Sequence, residues 1–136
     1  MHTFRLFVGG TAIAGTIALV AACGGDSSMN NTSPSTGCTP SSSPTTFVIM
    51  NFTICPQTIT VPRGTQVTFS NQDSVIHEMD SNPHPEHTDC PELNQVDFLA
   101  QGQSRQSGNL NIARSCGFHD HMNPDRASMK GTIVIQ

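Results

Sequence analysis

Short apolar runs, separated by turn signals, dominate the chain from residue 47 onward. Six of them have the length of a strand and either alternate apolar with polar residues or are continuously apolar. They lie at 47–52, 57–61, 65–70, 96–99, 110–113 and 132–135. No segment keeps a helical period over about 11 residues. The pattern therefore predicts an all-β sandwich over residues 47–136.

The first residues follow a different pattern. Phe7–Ala22 carries no charge and is shorter than the roughly 20 residues of a membrane-spanning helix, which is typical of a secretory signal. It ends in Leu-Val-Ala-Ala-Cys23, which resembles a bacterial lipoprotein signal. We expect residues 1–22 to be removed and Cys23 to be acylated, which would anchor the protein to a membrane surface. The alternative is a plain secretory signal that ends at Ala22.

Residues 23–46 consist almost entirely of Gly, Ser, Thr, Asn and Pro after Cys23. Such a segment cannot bury enough apolar surface to offset its ordering entropy, so it is predicted to be a disordered linker. As a flexible coil it would span on the order of 25–30 Å between the lipid anchor and the folded domain.

The length and the charge of the chain limit which functions are possible. The chain has 136 residues, which suits one ordinary domain after the linker. Only 12% of the residues are charged, and removing Arg5 with the signal leaves 5 basic and 10 acidic residues, a net charge of −5. No basic patch for nucleic acid can be identified.

Soft donor atoms are concentrated in the predicted domain. Cys116, His119 and His121 lie close together, His77 follows the strand at 65–70, and Met129 directly precedes the final strand. Loops at one end of a sandwich can bring such positions together. A Cys thiolate with two imidazoles and a weak axial thioether is the ligand set of an electron-transfer copper site.

These residues resemble the cupredoxins, the plastocyanin- and azurin-like family, over residues 47–136. Thr58–Asn71 resembles the family's strand-turn-strand, Cys116-x2-His119 its Cys-His pair, and Met129-x-Gly its last strand. The resemblance implies a Greek-key β-sandwich with one type 1-like copper ion. His77, Cys116 and His119 would be equatorial ligands and Met129 the axial one.

One departure leaves the axial ligand open. The family places only a short segment between the second His and the Met, whereas nine residues separate His119 from Met129 here. The insert carries His121 and Met122, which are the alternative axial ligands. Zinc would accept the Cys and His donors but gives no reason for the Met.

The remaining histidines and cysteines allow two interpretations each. His84 and His87 lie between prolines, and we interpret them as loop residues, with a second copper-capture site as the alternative. If Cys116 binds copper, Cys55–Cys90 is the favoured disulfide and Cys38–Cys90 its rival. Cys116 in a disulfide, with solvated histidines, is the metal-free interpretation.

The sequence thus predicts a lipid-anchored copper protein, not an enzyme, that carries single electrons between redox proteins at a bacterial cell envelope. A second hypothesis is copper storage, delivery or resistance, which the additional His and Met donors would serve. A third is a metal-free interaction sandwich stapled by disulfides.

Overall fold

Nine strands and two short 3-10 turns make up the regular structure of residues 39–136, which are the residues that the computed structural model describes. The strands are β1 (Thr46–Met50), β2 (Thr53–Cys55), β3 (Thr58–Val61), β4 (Thr68–Asn71), β5 (His77–Ser81), β6 (Asp97–Leu99), β7 (Ser104–Gln106), β8 (Arg114–Asp120) and β9 (Lys130–Ile135). The 3-10 turns are Leu93–Gln95 and Ala127–Met129. The predicted all-β class is confirmed.

The strands form two mixed sheets. One has the order β2-β1-β4-β7 and the other the order β3-β9-β8-β5-β6. β1 is parallel to β4 and β3 is parallel to β9, while the other neighbours are antiparallel. Within these residues, no helix is long and apolar enough to cross a membrane.

Alternation explains the strands that the sequence predicted. In β3, Ile59 and Val61 are buried and the alternating Thr58 and Thr60 are exposed, as period 2 requires. The predicted strand at 110–113 is wrong. Leu110 makes only an isolated bridge to Thr65, and the interior strand of that region is β8, which begins at Arg114.

Three phenylalanines join the two sheets. Phe47 and Phe69, from the first sheet, stack with ring centroids 4.9 Å apart. Phe118, from β8 of the second sheet, meets them edge-on at 4.8 and 5.0 Å. Edge-to-face and offset contacts of this kind add to the stabilisation that burial provides.

Strand β8 has two faces with different environments. Cys116, Phe118 and Asp120 point into the sandwich, so His119 and Gly117 lie on the opposite face. The loop between β5 and β6 covers His119 there, which is why this outward residue is only 2% exposed. That loop and the outer face of β8 enclose the candidate site.

The predicted signal segment 1–22, the lipidation site Cys23, Cys38 and the first part of the linker 23–46 lie outside the described residues. Those predictions remain predictions.

Candidate metal centre

Four histidines converge on the outer face of β8. One nitrogen from each lies within 4.8 Å of the others, and together they could hold a metal ion. Two come from β8 and the residue after it, and two from the loop that follows β5. The four are His84, His87, His119 and His121, which we call the His cluster. His119 and His121 share a face because they are two residues apart in extended chain.

The spacing of the rings suits a single ion. The six ring-centroid distances run from 4.9 to 6.5 Å. A tetrahedron with such edges has its centre about 3–4 Å from each corner. A ring that binds zinc through nitrogen at about 2.0–2.1 Å has its centroid at a similar distance, about 3.2 Å. The cluster therefore has nearly the size of a four-imidazole coordination sphere.

His119 is oriented for binding. Its Nδ1 is 2.8 Å from Oδ1 of Asn82, so Nδ1 must carry the proton and donate to the amide oxygen. Its Nε2 is buried and has no hydrogen-bond partner. Burial, together with the neighbouring imidazoles, lowers the pKa of His119 to about 4, so the ring is neutral at physiological pH. A metal ligand must be a neutral imidazole nitrogen with a free lone pair, and metal binding would also explain why this buried nitrogen has no partner.

A carboxylate supports two other rings of the cluster. Oδ2 of Asp80 lies 3.6 Å from Nδ1 of His87 and 3.7 Å from Nδ1 of His121. Nδ1 of His121 is also 3.2 Å from Nε2 of His87. Burial raises the pKa of Asp80, and the nearby imidazoles oppose that shift. Glu78, Asp80 and His121 form a second, more acidic group of potential ligands beside the first.

The cluster is open on one side. His84 is exposed, and a cavity of about 330 Å³ adjoins it. The cavity is lined by Asn82, Pro83, His84, His119, Pro124, Asp125 and Lys130. An ion or a small co-ligand can reach the imidazoles from this side.

Cys116 does not join the histidines. It forms a disulfide with Cys90, with Cα atoms 5.8 Å apart, and both residues are fully buried. The predicted thiolate ligand is therefore wrong for this oxidised protein, because a disulfide sulfur carries no thiolate charge. Strand geometry gives the reason: residues three apart in an extended strand point to opposite faces, so Cys116 and His119 diverge.

The predicted disulfide partners were also wrong. Cys90 pairs with Cys116, which excludes both Cys55–Cys90 and Cys38–Cys90. Cys55 is disulfide-bonded as well.

His77 is occupied elsewhere. Its Nδ1 is 2.9 Å from Asp120 and its Nε2 is 3.0 Å from Asp73, so both ring nitrogens donate to carboxylates. Burial lowers the pKa of His77, but the two carboxylates raise it more, and the net shift is upward. In return, the bond from His77 helps to lower the pKa of Asp120 against the effect of its own burial. No lone pair of His77 is left for copper, so its predicted role as a ligand is not supported.

The two methionines proposed as axial ligands have different positions. Met129 is fully buried in the hydrophobic core, in the 3-10 turn before β9. Met122 follows His121 and is 52% exposed.

Sequence reasoning missed Asp80 and Asn82. The available signal was the pair of histidines at 84 and 87, which follow them in the same loop region. Only the antiparallel register reveals the connection, because it places Asp80 directly opposite His119.

The sequence matches no protein-family model and no curated protein. Its fold matches solved structures. A mutant plastocyanin of a fern, solved oxidized and reduced, is 20% identical, with 67% of this chain and 99% of that chain covered and a TM-score of 0.54. A purple cupredoxin from Nitrosopumilus maritimus is 18% identical, with 67% and 98% covered and a TM-score of 0.51. A mutant amicyanin in its reduced Cu(I) form is 17% identical, with 67% and 80% covered and a TM-score of 0.52. The predicted cupredoxin-type fold is confirmed.

Proposed function

We propose that this protein binds one copper ion through the four imidazoles of the His cluster and serves in copper storage, delivery or resistance. The observation that carries the proposal is the buried, unpartnered Nε2 of His119, whose ring lies among the three other imidazoles of the His cluster. This departs from the type 1-like site expected from the sequence, because no thiolate takes part.

The chemistry of the donors supports copper. Imidazole nitrogens suit copper, zinc and nickel, and among divalent first-row ions Cu²⁺ binds such sites most tightly. The fold is also that of an amicyanin solved with Cu(I). Zinc is the competitor, since four nitrogen ligands in a tetrahedron would satisfy it.

The charges around the cluster favour the divalent ion. Four neutral imidazoles contribute no charge, so a bound Cu²⁺ would keep its two positive charges. Asp80 contacts two of the imidazoles, and Glu78 lies beside it. Their negative charge would stabilise Cu²⁺ more than Cu⁺.

Accessibility supports a handling role. The exposed ring of His84 and the adjoining cavity give copper and its competitors direct access to the site. Bound copper would be a metal ion that is held and released reversibly, while the chain's own residues select and hold it. We propose that the protein is not an enzyme, and that its partners are other copper-binding proteins.

Single-electron transfer between redox proteins is the second candidate. It is favoured by the fold, which the oxidized and reduced fern plastocyanin shares. The disulfide also ties the loop that carries His84 and His87 to β8, and a constrained ligand framework changes little between oxidation states. The disulfide also agrees with the metal-free sandwich hypothesis, but that hypothesis leaves the four converging imidazoles unexplained.

The test is to load the purified protein with Cu²⁺, count copper per chain and compare two variants. His119→Ala should lose far more than the roughly 10–100-fold affinity that an outer-sphere partner contributes. His77→Gln should keep copper, because His77 is paired with carboxylates. Loss of copper in His77→Gln and an intense thiolate band in wild type would restore the type 1 hypothesis. No binding at all would leave the metal-free sandwich.

Exchange and voltammetry separate the two copper roles. Handling predicts that a competing chelator removes Cu²⁺ readily and that Cu⁺ is held more weakly. A reversible one-electron couple, with the ion retained in both states, would favour electron transfer instead.

We further propose export and acylation at Cys23, which would hold the domain at the surface of a bacterial cell envelope membrane. The signal pattern in residues 1–22 and the linker composition support this. Mass spectrometry of the mature amino terminus tests it: Cys23→Ser should release the protein from membranes and remove the mass of the acyl chains.

A further inference from the structure

The geometry points to Asn82 as the residue that sets the tautomer of His119 and so positions the His cluster for metal binding, with Gly117 providing the space that Asn82 needs. This inference rests on the proposed function for the identity of the ligand. The tautomer of His119 is a property of the metal-free protein, so it can be observed without any bound ion.

The contacts define the role of Asn82. Its side-chain oxygen accepts the Nδ1 proton of His119 at 2.8 Å. An imidazole that donates from Nδ1 has its lone pair on Nε2, and Nε2 is the buried, unpartnered atom. The opposite tautomer would place a proton on Nε2, where the described residues offer it no acceptor, and would leave Nδ1 facing an oxygen that cannot donate.

The backbone fixes where Asn82 lies. Its N–H donates to the carbonyl of Gly117 at 2.9 Å, and its carbonyl accepts from Asp89 at 2.7 Å. Asn82 directly follows β5, in which Asp80 is paired with His119. One main-chain bond therefore holds Asn82 beside β8 and the other holds it to its own loop, so its backbone has a fixed position.

Gly117 lies under the amide of Asn82. A Cβ atom at residue 117 would overlap the Nδ2 atom of Asn82 and crowd its Cγ atom at 3.1 Å. Gly117 shares the outer face of β8 with His119, two residues away. Even the smallest side chain at 117 would push the amide away from the imidazole, so the glycine and the asparagine act together.

The experiment uses the full chain, first without metal. Nitrogen-15 NMR of the imidazoles, with EDTA present at neutral pH, should show the Nδ1–H tautomer at His119 in wild type. Asn82→Leu should remove that preference, while Asn82→Asp, which keeps an acceptor oxygen in the same place, should retain it. Cu²⁺ affinity, from competition with a chelator, should fall by about 10–100-fold in Asn82→Leu and far less in Asn82→Asp.

A second perturbation guards against misfolding of the Asn82 variants. Gly117→Ala should displace the amide and reproduce the change in tautomer and affinity. Gly108→Ala is the matched control, because its methyl group would displace a different amide side chain, that of Gln95. It should leave His119 unchanged.

The outcomes separate this inference from the proposed function. Wild-type tautomer and wild-type Cu²⁺ affinity in both Asn82→Leu and Gly117→Ala would overturn the role of Asn82 while copper binding stands. Wild type that shows the Nδ1–H tautomer but binds no Cu²⁺ would overturn the proposed function and the metal-positioning role together, and would leave the hydrogen bond as a purely structural contact.

Discussion

Removing the Cys90–Cys116 disulfide should weaken both the fold and the copper site. The two residues are 26 positions apart. Cross-linking a loop of that length lowers the entropy of the unfolded chain by an amount worth about 3.5 kcal/mol at 25 °C. The double variant Cys90→Ala/Cys116→Ala should lose about that much unfolding free energy, and its midpoint should fall by about 15–25 °C for a domain of this size.

Thermal unfolding of oxidised, EDTA-treated protein is the assay. Val96→Ala serves as the control for lost packing, because Val96 is fully buried near Cys90 in sequence and its truncation opens no covalent bond. The disulfide of Cys55 is retained in all variants. An unchanged midpoint in the double variant would refute the assignment of a stabilising Cys90–Cys116 bond.

Copper loading of the same variant tests the site. It should still bind one Cu²⁺, but more weakly, because the loop that carries His84 and His87 has lost its covalent tie to β8. Neither wild type nor variant should show an intense thiolate-to-copper band. If wild type shows that band and Cys116→Ala abolishes it, the four-imidazole assignment is wrong.

Three further predictions concern the core, the buried ion pairs and the acidic side of the site. Gly131→Ala should lower the free energy of unfolding by about 1–3 kcal/mol, because its methyl group would overlap the ring of Phe118. Urea unfolding measures this loss, and combining the variant with Phe118→Leu should recover part of it. The pKa of His77 is raised above its ordinary 6.5, so its pairing with two carboxylates stabilises the metal-free fold fully below about pH 6.5 and less as pH rises through the folded-state pKa. The stability difference between wild type and His77→Gln should therefore shrink as pH rises above 6.5, and a growing difference would contradict the imidazolium assignment. Asp80→Asn should weaken Cu²⁺ binding relative to Cu⁺ binding by about tenfold, which corresponds to a rise of about 60 mV in the reduction potential measured by voltammetry. An unchanged potential would show that the charge of Asp80 does not act on the bound ion.

Much of the fold could be predicted because it depends on local pattern. Alternation located β3 and β4, and the apolar run Thr132–Ile135 located most of β9. Strand β8 could not be recognised, because Gly117, His119 and Asp120 interrupt its apolar pattern. These three residues contact Asn82 and His77, which lie far away in the sequence.

The site was harder to predict because its chemistry depends on which face each residue occupies. Cys116-x2-His119 has the spacing of a ligand pair in a loop, but in a strand the same spacing separates the two side chains. His77 has the right residue type, but both of its ring nitrogens are hydrogen-bonded to the carboxylates of Asp73 and Asp120. The sequence pattern offers His121 only as an axial alternative, because its contact with the loop histidines depends on long-range register.

The two faces of β8 also bear on how this protein could be altered. Alternate positions of the strand serve separate tasks, so a substitution at 119 can be tried with little effect on the interior, and a substitution at 118 with little effect on the imidazoles. A substitution at 116 is the exception, because it also breaks the disulfide that holds the loop of His84 and His87. Deleting or inserting one residue before His119 would be far more damaging than any single replacement. It would turn the imidazole toward the phenylalanines and bring the neighbouring carboxylate out to the surface, exchanging the two tasks at once.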